Sequence, residues 1–261
     1  MRGGVVISYH NKTKDFGAIN TFTAFSELNS ITHKVLAKKS AQNLSSIIAS
    51  QGLYRFSDKF FEEHPEAVNL MGKGTGSKIV SILLDKMPAV FVADPSSRDG
   101  YLKILGRTKS GGRIYRFIRI DYIQNNDYTN AYKVFIPEAN GSGAIGKVLC
   151  TPLIGEPLIG EPLVGVTDTF ICCGPFATKE EAVSALKYIK TKFARTMLGV
   201  KKITQHNSKS TWELVPLQDF TSASDIDWSK SIPEIDRQLY AKYGLSEEEV
   251  EFIESHVKEM E

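Results

Sequence analysis

The 261-residue sequence lacks most features of membrane, secreted and zinc-binding proteins. No apolar run approaches the roughly 18 residues that a membrane span needs. The first ten residues contain no apolar segment of signal-peptide length. Cysteine is scarce, and Cys150, Cys172 and Cys173 form no CxxC pair, which argues against a disulfide framework and a structural zinc site. We therefore expect a cytoplasmic protein that does not contact a membrane.

Catalytic motifs are also scarce. Residues 72–78 are glycine-rich, but Lys78 is followed by Ile79 instead of the Ser or Thr of a phosphate loop, so we predict a plain glycine turn. The five histidines are scattered and none has metal-ligand spacing. Cys172 and Cys173 lie in a predicted buried strand, where cysteine usually serves packing. The sequence predicts neither a metal site nor a catalytic residue in this chain.

The net charge of +2 hides an uneven distribution. Residues 234–261 contain nine acidic and three basic residues, so the other 233 residues have 29 basic and 21 acidic ones, a balance of +8. Two basic groups lie in stretches without any carboxylate. They are Lys103, Arg107, Lys109, Arg113, Arg116 and Arg119, and then Lys190, Lys192, Arg195, Lys201, Lys202 and Lys209. Such groups attract polyanions; the alternative is a solvated surface, which normally mixes both signs.

The hydrophobic pattern predicts an α+β fold. We expect a mixed, mostly antiparallel sheet, a long helix over 179–198 packed against it, and a small helical end at the C-terminus. The predicted strands are 5–9, 19–25, 132–136, 167–173 and 212–215, and residues 78–91 and 101–123 are predicted to form strands joined by turns, one of them at Ser110-Gly111-Gly112. Residues 29–50 are a predicted helical region. Two short helices are predicted over 232–240, ended by Gly244, and over 246–256, begun by a capping box of Ser246 and Glu249. Residues 154–158 and 159–163 repeat Ile-Gly-Glu-Pro-Leu and predict a duplicated loop. Trp212 and Phe220 are predicted to lie in the core.

Eight short motifs are spread along nearly the whole chain. They are Gly3-Gly4, Tyr132-Lys-Val-Phe-Ile136 with Asn140-Gly141, Ile159-Gly-Glu-Pro162, Gly174-Pro-Phe176, Tyr188-Ile-Lys-Thr-Lys-Phe193, Lys202-Ile-Thr-Gln-His206, Val215-Pro-Leu-Gln-Asp-Phe220 and Leu239-Tyr-Ala-Lys-Tyr-Gly-Leu245. In this order they resemble the C-terminal region of bacterial adenine-specific DNA methyltransferases of type II restriction-modification systems. In that family a TaqI-like specificity domain follows the catalytic domain.

The resemblance implies a domain organisation and a set of partners. Residues 1–25 would be the terminal hairpin of a truncated methyltransferase catalytic domain, 26–230 the target-recognition domain, and 231–261 an acidic helical segment. The Asp/Asn-Pro-Pro-Tyr/Phe loop and the S-adenosylmethionine site would lie upstream, so no cofactor is expected in this chain. The implied partners are double-stranded DNA and a methyltransferase catalytic domain or restriction subunit.

The resemblance also implies roles for individual side chains. DNA phosphates would be bound by Lys103, Arg107, Lys109, Arg113, Arg116, Arg119, Lys201, Lys202 and Lys209. Bases would be read by Asn140, Ser142, Gln205, His206 and Asn207, since Gln and Asn can pair with adenine in a bidentate manner. The alternative for residues 205–207 is a structural loop that caps the preceding helix or holds the next strand.

Two other functions remain open at this stage. One is a metal-dependent restriction endonuclease, for which Asp94 and Asp99 precede Lys103, although the spacing differs from that of an Asp-x-Lys pair. The other is an interaction domain that completes a split methyltransferase.

Overall fold

The computed structural model describes residues 12–13, 21, 23–38, 42–139, 154–202 and 204–260. Together they form an α+β fold in which four of the five strand pairs are antiparallel, which confirms the predicted class. The strands are β1 (Ile48–Ala49), β2 (Tyr101–Arg107), β3 (Arg113–Arg119), β4 (Tyr132–Pro137), β5 (Leu158–Gly160), β6 (Val164–Val166) and β7 (Phe170–Phe176). The α-helices are α1 (Ser26–Ala37), α2 (Asp58–Glu63), α3 (Ala67–Leu70), α4 (Leu83–Lys86), α5 (Lys179–Lys190), α6 (Lys192–Lys201), α7 (Ile232–Tyr243) and α8 (Glu247–His256).

The strands form two sheets, with the orders β1-β7-β4-β5 and β3-β2-β6. The four-stranded sheet separates two hydrophobic cores, because alternate residues of a strand face opposite sides. In β7, Ile171 and Cys173 belong to the first core, whereas Phe170 and Cys172 belong to the second. Burial of both thiols agrees with the predicted packing role, and burial raises the pKa of Cys172 to about 12.

The first core contains apolar residues of five helices: α1, α5, α6, α7 and α8. Trp212 and Phe220 lie in this core, as predicted. The acidic C-terminal segment packs into the same core through residues such as Leu239 and Ile253. Gly244, at φ 64°, ends α7, and the capping box of Ser246 begins α8.

The second core is formed by residues of both sheets and of helices α2 to α4, and Phe56 stacks on Phe60 inside it at 3.8 Å between ring centroids. The prediction of strands within 78–91 is wrong. Residues 83–86 form a helix instead, and buried Leu83, Leu84 and Met87 follow its spacing. The predicted strand over 212–215 is also wrong, because residues 209–212 form a 3-10 helix that places Trp212 in the first core.

The long helix predicted over 179–198 is divided at Thr191, which has extended backbone angles. Thr191 ends α5 and caps α6, since its hydroxyl oxygen accepts a hydrogen bond from the Ala194 amide at 3.1 Å. The buried carboxylate of Asp236 in α7 accepts two more, from the amides of Lys192 and Phe193 at 3.0 and 2.9 Å. The break is therefore stabilised by a residue more than 40 positions away.

Several predictions lie wholly or largely outside the described residues. They include the hairpin of 5–9 and 19–25, and with it most of the segment 1–25. The predicted duplicated loop is only partly a loop, since residues 158–160 pair with β4. None of the helices that the structure describes combines the length and apolar character needed to cross a bilayer.

Candidate nucleic-acid interface

The first basic group lies on the antiparallel hairpin of β2 and β3. Its turn, 109–112, is exposed to solvent. Five basic residues of this hairpin form no ion pair with any carboxylate in the described parts of the chain. They are Lys103, Arg107, Lys109, Arg113 and Arg116, and we call them the hairpin cations. The stretch contains no carboxylate in sequence, and in the folded chain these five residues also have no carboxylate as an ion-pair partner among the described residues.

Three hairpin cations form the tip of the hairpin. Arg107 lies directly opposite Arg113 across the two strands, and Lys109 lies in the exposed turn between them. Like charges in directly opposed positions repel each other. The Arg107 guanidinium donates to the carbonyl of Gly111 at 3.3 Å, and that of Arg113 donates to the carbonyl of Glu156. These carbonyls orient the guanidinium groups without neutralising them.

Aromatic rings lie between the basic side chains on the same face of the hairpin. The Lys103 ammonium lies 4.4 Å from the ring centroid of Tyr115, which is 37% exposed. The Arg98 guanidinium lies 5.3 Å from the ring of Phe117. The sequence reasoning missed Tyr115, although its place two residues after Arg113 in a strand puts both side chains on one face. An exposed ring beside cations can stack on a nucleic-acid base.

Arg116 and Arg119 differ from the tip residues. Strand alternation places Arg116 on the opposite face from Arg113, and its guanidinium donates to the Tyr115 carbonyl at 2.9 Å. Arg119 is paired with Asp121 at 2.5 Å and with Glu63 at 3.3 Å. The hydrogen bond that the Arg119 guanidinium donates to Asp121, together with the charge of that carboxylate, raises the pKa of Arg119. The predicted phosphate role of Arg119 therefore has less support than that of the tip residues.

Three of the six members of the second basic group form ion pairs with carboxylates outside the stretch 190–209. Lys190 lies 2.6 Å from Glu156, and Lys192 pairs with Glu254. Lys201, a predicted phosphate ligand, pairs with Glu213. The absence of acidic residues within 190–209 therefore did not predict the absence of acidic neighbours in space.

Two other members of the second group are buried. Lys202 is fully buried, donates to the carbonyl of Thr204 at 3.1 Å, and has a pKa lowered by burial to about 8. Arg195 is also fully buried and donates to main-chain carbonyls, including that of Lys258 at 2.6 Å. Neither side chain can reach a phosphate in this conformation. Lys209 is exposed and has no ion-pair partner within the described residues.

In the predicted base-reading loop (residues 205–207), His206 and Asn207 make contacts within the protein. The Asn207 side chain is buried and donates to the Pro137 carbonyl at 2.9 Å, while its amide donates to the carbonyl of Glu138. His206 lies 2.9 Å from the Glu138 carboxylate. Gln205 is exposed, and Asn140 and Ser142 lie outside the described residues. Asn207 therefore has a structural role, although it holds the end of the earlier strand β4 and not the next strand, as the alternative interpretation had it.

The residues considered for metal-dependent cleavage do not form a metal site. The Asp94 carboxylate lies 3.8 Å from Arg98 on the surface. In the parts of the chain that the structure describes, no three His, Cys, Asp or Glu side chains converge in a way that could hold a metal ion. The endonuclease alternative thus gains no supporting geometry.

Comparison with known proteins adds no family assignment. The sequence matches no protein-family model, and a search of curated proteins gives no significant match.

Proposed function

We propose that this chain is a duplex-DNA recognition module of a bacterial restriction-modification system, and that it acts in the cytoplasm. In this proposal it positions DNA for a methyltransferase catalytic domain or restriction subunit, which supplies the chemistry. The motif resemblance supports a methyltransferase or restriction subunit as the protein partner. The hairpin cations support duplex DNA as the ligand. The endonuclease alternative has no comparable geometric support.

The observation that carries the proposal is the paired but unneutralised arginines at the hairpin tip. Arg107 and Arg113 face each other without an acidic partner among the described residues, although much of the second basic group has one. A polyanion would relieve this repulsion, and a two-stranded β-ribbon fits into the major groove of B-DNA. Arginine also binds phosphates or guanine edges through two parallel hydrogen bonds.

The proposal refines the set of predicted DNA contacts. Lys103, Arg107, Lys109 and Arg113 are the primary phosphate or base contacts, with Tyr115 as a stacking surface. Arg116 contributes from the other face of the hairpin. Lys201 and Lys202 become structural residues, because the first is paired and the second is buried. Gln205 stays a base-reading candidate on the basis of its exposure.

The experiment compares two triple variants of the full chain with equal loss of charge. The first is Arg107→Gln/Lys109→Gln/Arg113→Gln, and the control is Lys86→Gln/Lys230→Gln/Lys258→Gln, which replaces exposed lysines elsewhere on the surface. Binding to a labelled duplex is measured by fluorescence anisotropy at low salt. We expect the hairpin variant to bind at least about tenfold more weakly, because counterion release depends on local contacts, whereas the control should change less than about twofold.

Circular dichroism and thermal melting establish that both variants remain folded. Equal losses of affinity in the two variants would mean that only net charge matters, and the hairpin would then have no special role. Failure of the wild-type chain to bind duplex DNA at low salt would contradict the proposal as a whole.

A further inference from the structure

A cleft of about 570 Å³ lies at one end of the four-stranded sheet. The end of β1, the beginning of β7 and the end of β4 meet there, so Ser50, Ile171 and Glu138 all line it. The residues after α6 form another wall. This volume is within the range of small-ligand sites, about 300–1,000 Å³.

The lining is rich in hydrogen-bond donors. Two lysines, Lys78 and Lys209, contribute ammonium groups, and four serines line the cleft. The Ser45 hydroxyl donates to Asn43 Oδ1 at 2.5 Å, and one hydroxyl of the Ser208–Ser210 pair donates to the other at 3.0 Å, so Ser50 and one member of that pair are the remaining hydroxyl donors. Neither lysine forms an ion pair with a carboxylate in the described ranges. The serines are Ser45, Ser50, Ser208 and Ser210. Hydroxyl and ammonium donors together are the usual ligands of a phosphate group.

Lys78 is held in place by its backbone and by the packing of its aliphatic side-chain carbons. Residues 54–56 and 77–79 pair as short antiparallel segments, with Arg55 opposite Lys78. The aliphatic carbons of the Lys78 side chain pass directly over Gly52. A Cβ added to Gly52 would lie 2.6 Å from the Cγ and Cδ atoms of Lys78. Gly52 also has a φ of 75°, which favours glycine. The backbone pairing and this close contact fix the lysine beside the cleft.

The carboxylates near the cleft are already engaged. Glu138 lies 2.9 Å from His206, and Glu213 pairs with Lys201. The Asp168 carboxylate accepts a hydrogen bond from the Ser81 amide at 3.3 Å. Burial raises the pKa of Asp168, and the charge of Lys78 opposes that shift. Lys78 and Lys209 remain the ammonium groups of the lining without an ion-pair partner among the described residues, so an anionic ligand could bind both of them directly.

One buried polar atom in the lining has no partner. Asn207 uses its Nδ2 to hold the Pro137 carbonyl, but its buried Oδ1 accepts no hydrogen bond from any described residue. A buried acceptor without a donor is unfavourable. A hydroxyl of a singly protonated phosphate, or a water molecule held with it, could donate to this oxygen. The orphaned acceptor is an observation independent of the two lysines.

We propose that this cleft binds a phosphate group, with Lys78 and Lys209 as its cationic ligands and the hydroxyls of Ser50 and of the Ser208–Ser210 pair as neutral donors. Its residues are separate from the hairpin cations, so this site does not depend on the proposed function. The phosphate can come from a free phosphorylated nucleoside or from the DNA backbone. A phosphomonoester can donate its hydroxyl to Asn207 Oδ1 directly, whereas a backbone diester has no such proton and would satisfy that oxygen only through a bridging water molecule. The test distinguishes the two sources.

Isothermal titration calorimetry of the full chain with inorganic phosphate and with AMP tests this site. We expect one saturable site for each ligand with a dissociation constant of about 1 mM or below. The variant Lys78→Gln/Lys209→Gln should weaken both at least about tenfold, because it removes two charge-assisted contacts. The control Lys86→Gln/Lys230→Gln, with the same charge change and normal thermal melting, should bind like the wild type.

No saturable binding up to about 10 mM, or equal weakening in cleft variant and control, would overturn the proposal. If short duplex DNA competes with phosphate, the DNA backbone is the source; simultaneous binding identifies a free phosphorylated ligand, and both results support the site. The hairpin triple variant should retain phosphate binding, so failure of one site is distinguishable from failure of the other.

Discussion

The buried carboxylate of Asp236 should give folding a pH dependence that can be measured. Asp236 is 2% exposed and caps the start of α6 through two amide hydrogen bonds. Burial raises the pKa of this carboxyl from 3.8 to about 6, against the effect of those two hydrogen bonds. The perturbation that isolates its titration is Asp236→Asn, which has nearly the same shape but cannot ionise.

The sign and the size of the effect follow from linkage. Because the folded-state pKa is the higher one, the folded protein binds more protons between about pH 4 and 6, and stability from this group falls as pH rises through that window. A shift of about two pH units corresponds to roughly 3 kcal/mol. We therefore compare the free energies of unfolding of the two proteins. The excess of the wild type over Asp236→Asn should decrease by up to about 3 kcal/mol between pH 4 and pH 7.

Urea unfolding of both proteins at pH 4, 5, 6 and 7 measures this difference. Other carboxylates titrate in the same range, but they are common to both proteins and cancel in the comparison. A difference that stays constant with pH would refute the assigned pKa. A difference that grows with pH would mean that the two amides stabilise the ionised carboxylate more than burial opposes it.

Two further substitutions test the packing. Thr191→Ala should destabilise the protein by about 1 kcal/mol through loss of the α6 cap, and Thr191→Ser should recover most of it in the same urea titration. Gly160→Ala would place a Cβ 2.3 Å from the buried ring of Phe135, and should cost about 1–3 kcal/mol by overpacking. Gly72→Ala, whose Cβ would meet its nearest atom at 3.5 Å, is the control; an equal shift in melting temperature would contradict the packing argument.

The sequence correctly predicted the helix ends and the hairpin turn that are stabilised by contacts between residues close together in the chain. The capping box at Ser246 and the glycine at 244 were read directly, because their partners lie within four residues. The β2–β3 hairpin was predicted from apolar strands around a Ser-Gly-Gly turn. The helical turn at 83–86 was missed, because Leu83, Leu84 and Met87 were interpreted as a strand although their spacing also fits a helix.

Long-range contacts were the main source of error. The break at Thr191 depends on Asp236, and no pattern within 179–198 indicates that partner. The second basic group looked unneutralised because its carboxylates, at Glu156 and Glu254 for example, lie outside the stretch. The cleft was missed for the same reason, since Lys78 and Lys209 are 131 residues apart and meet only in the folded chain.

The salt dependence of duplex binding tests the central claim most directly. The slope of log K against log salt concentration counts the phosphates neutralised, at about 0.9 per contact for B-DNA. If Arg107, Lys109 and Arg113 each contact a phosphate, the hairpin triple variant should have a slope smaller by between about 2 and 3 than the wild type and the surface-lysine control. An unchanged slope in the hairpin variant would contradict the account, because these three cations would then not contact DNA phosphates.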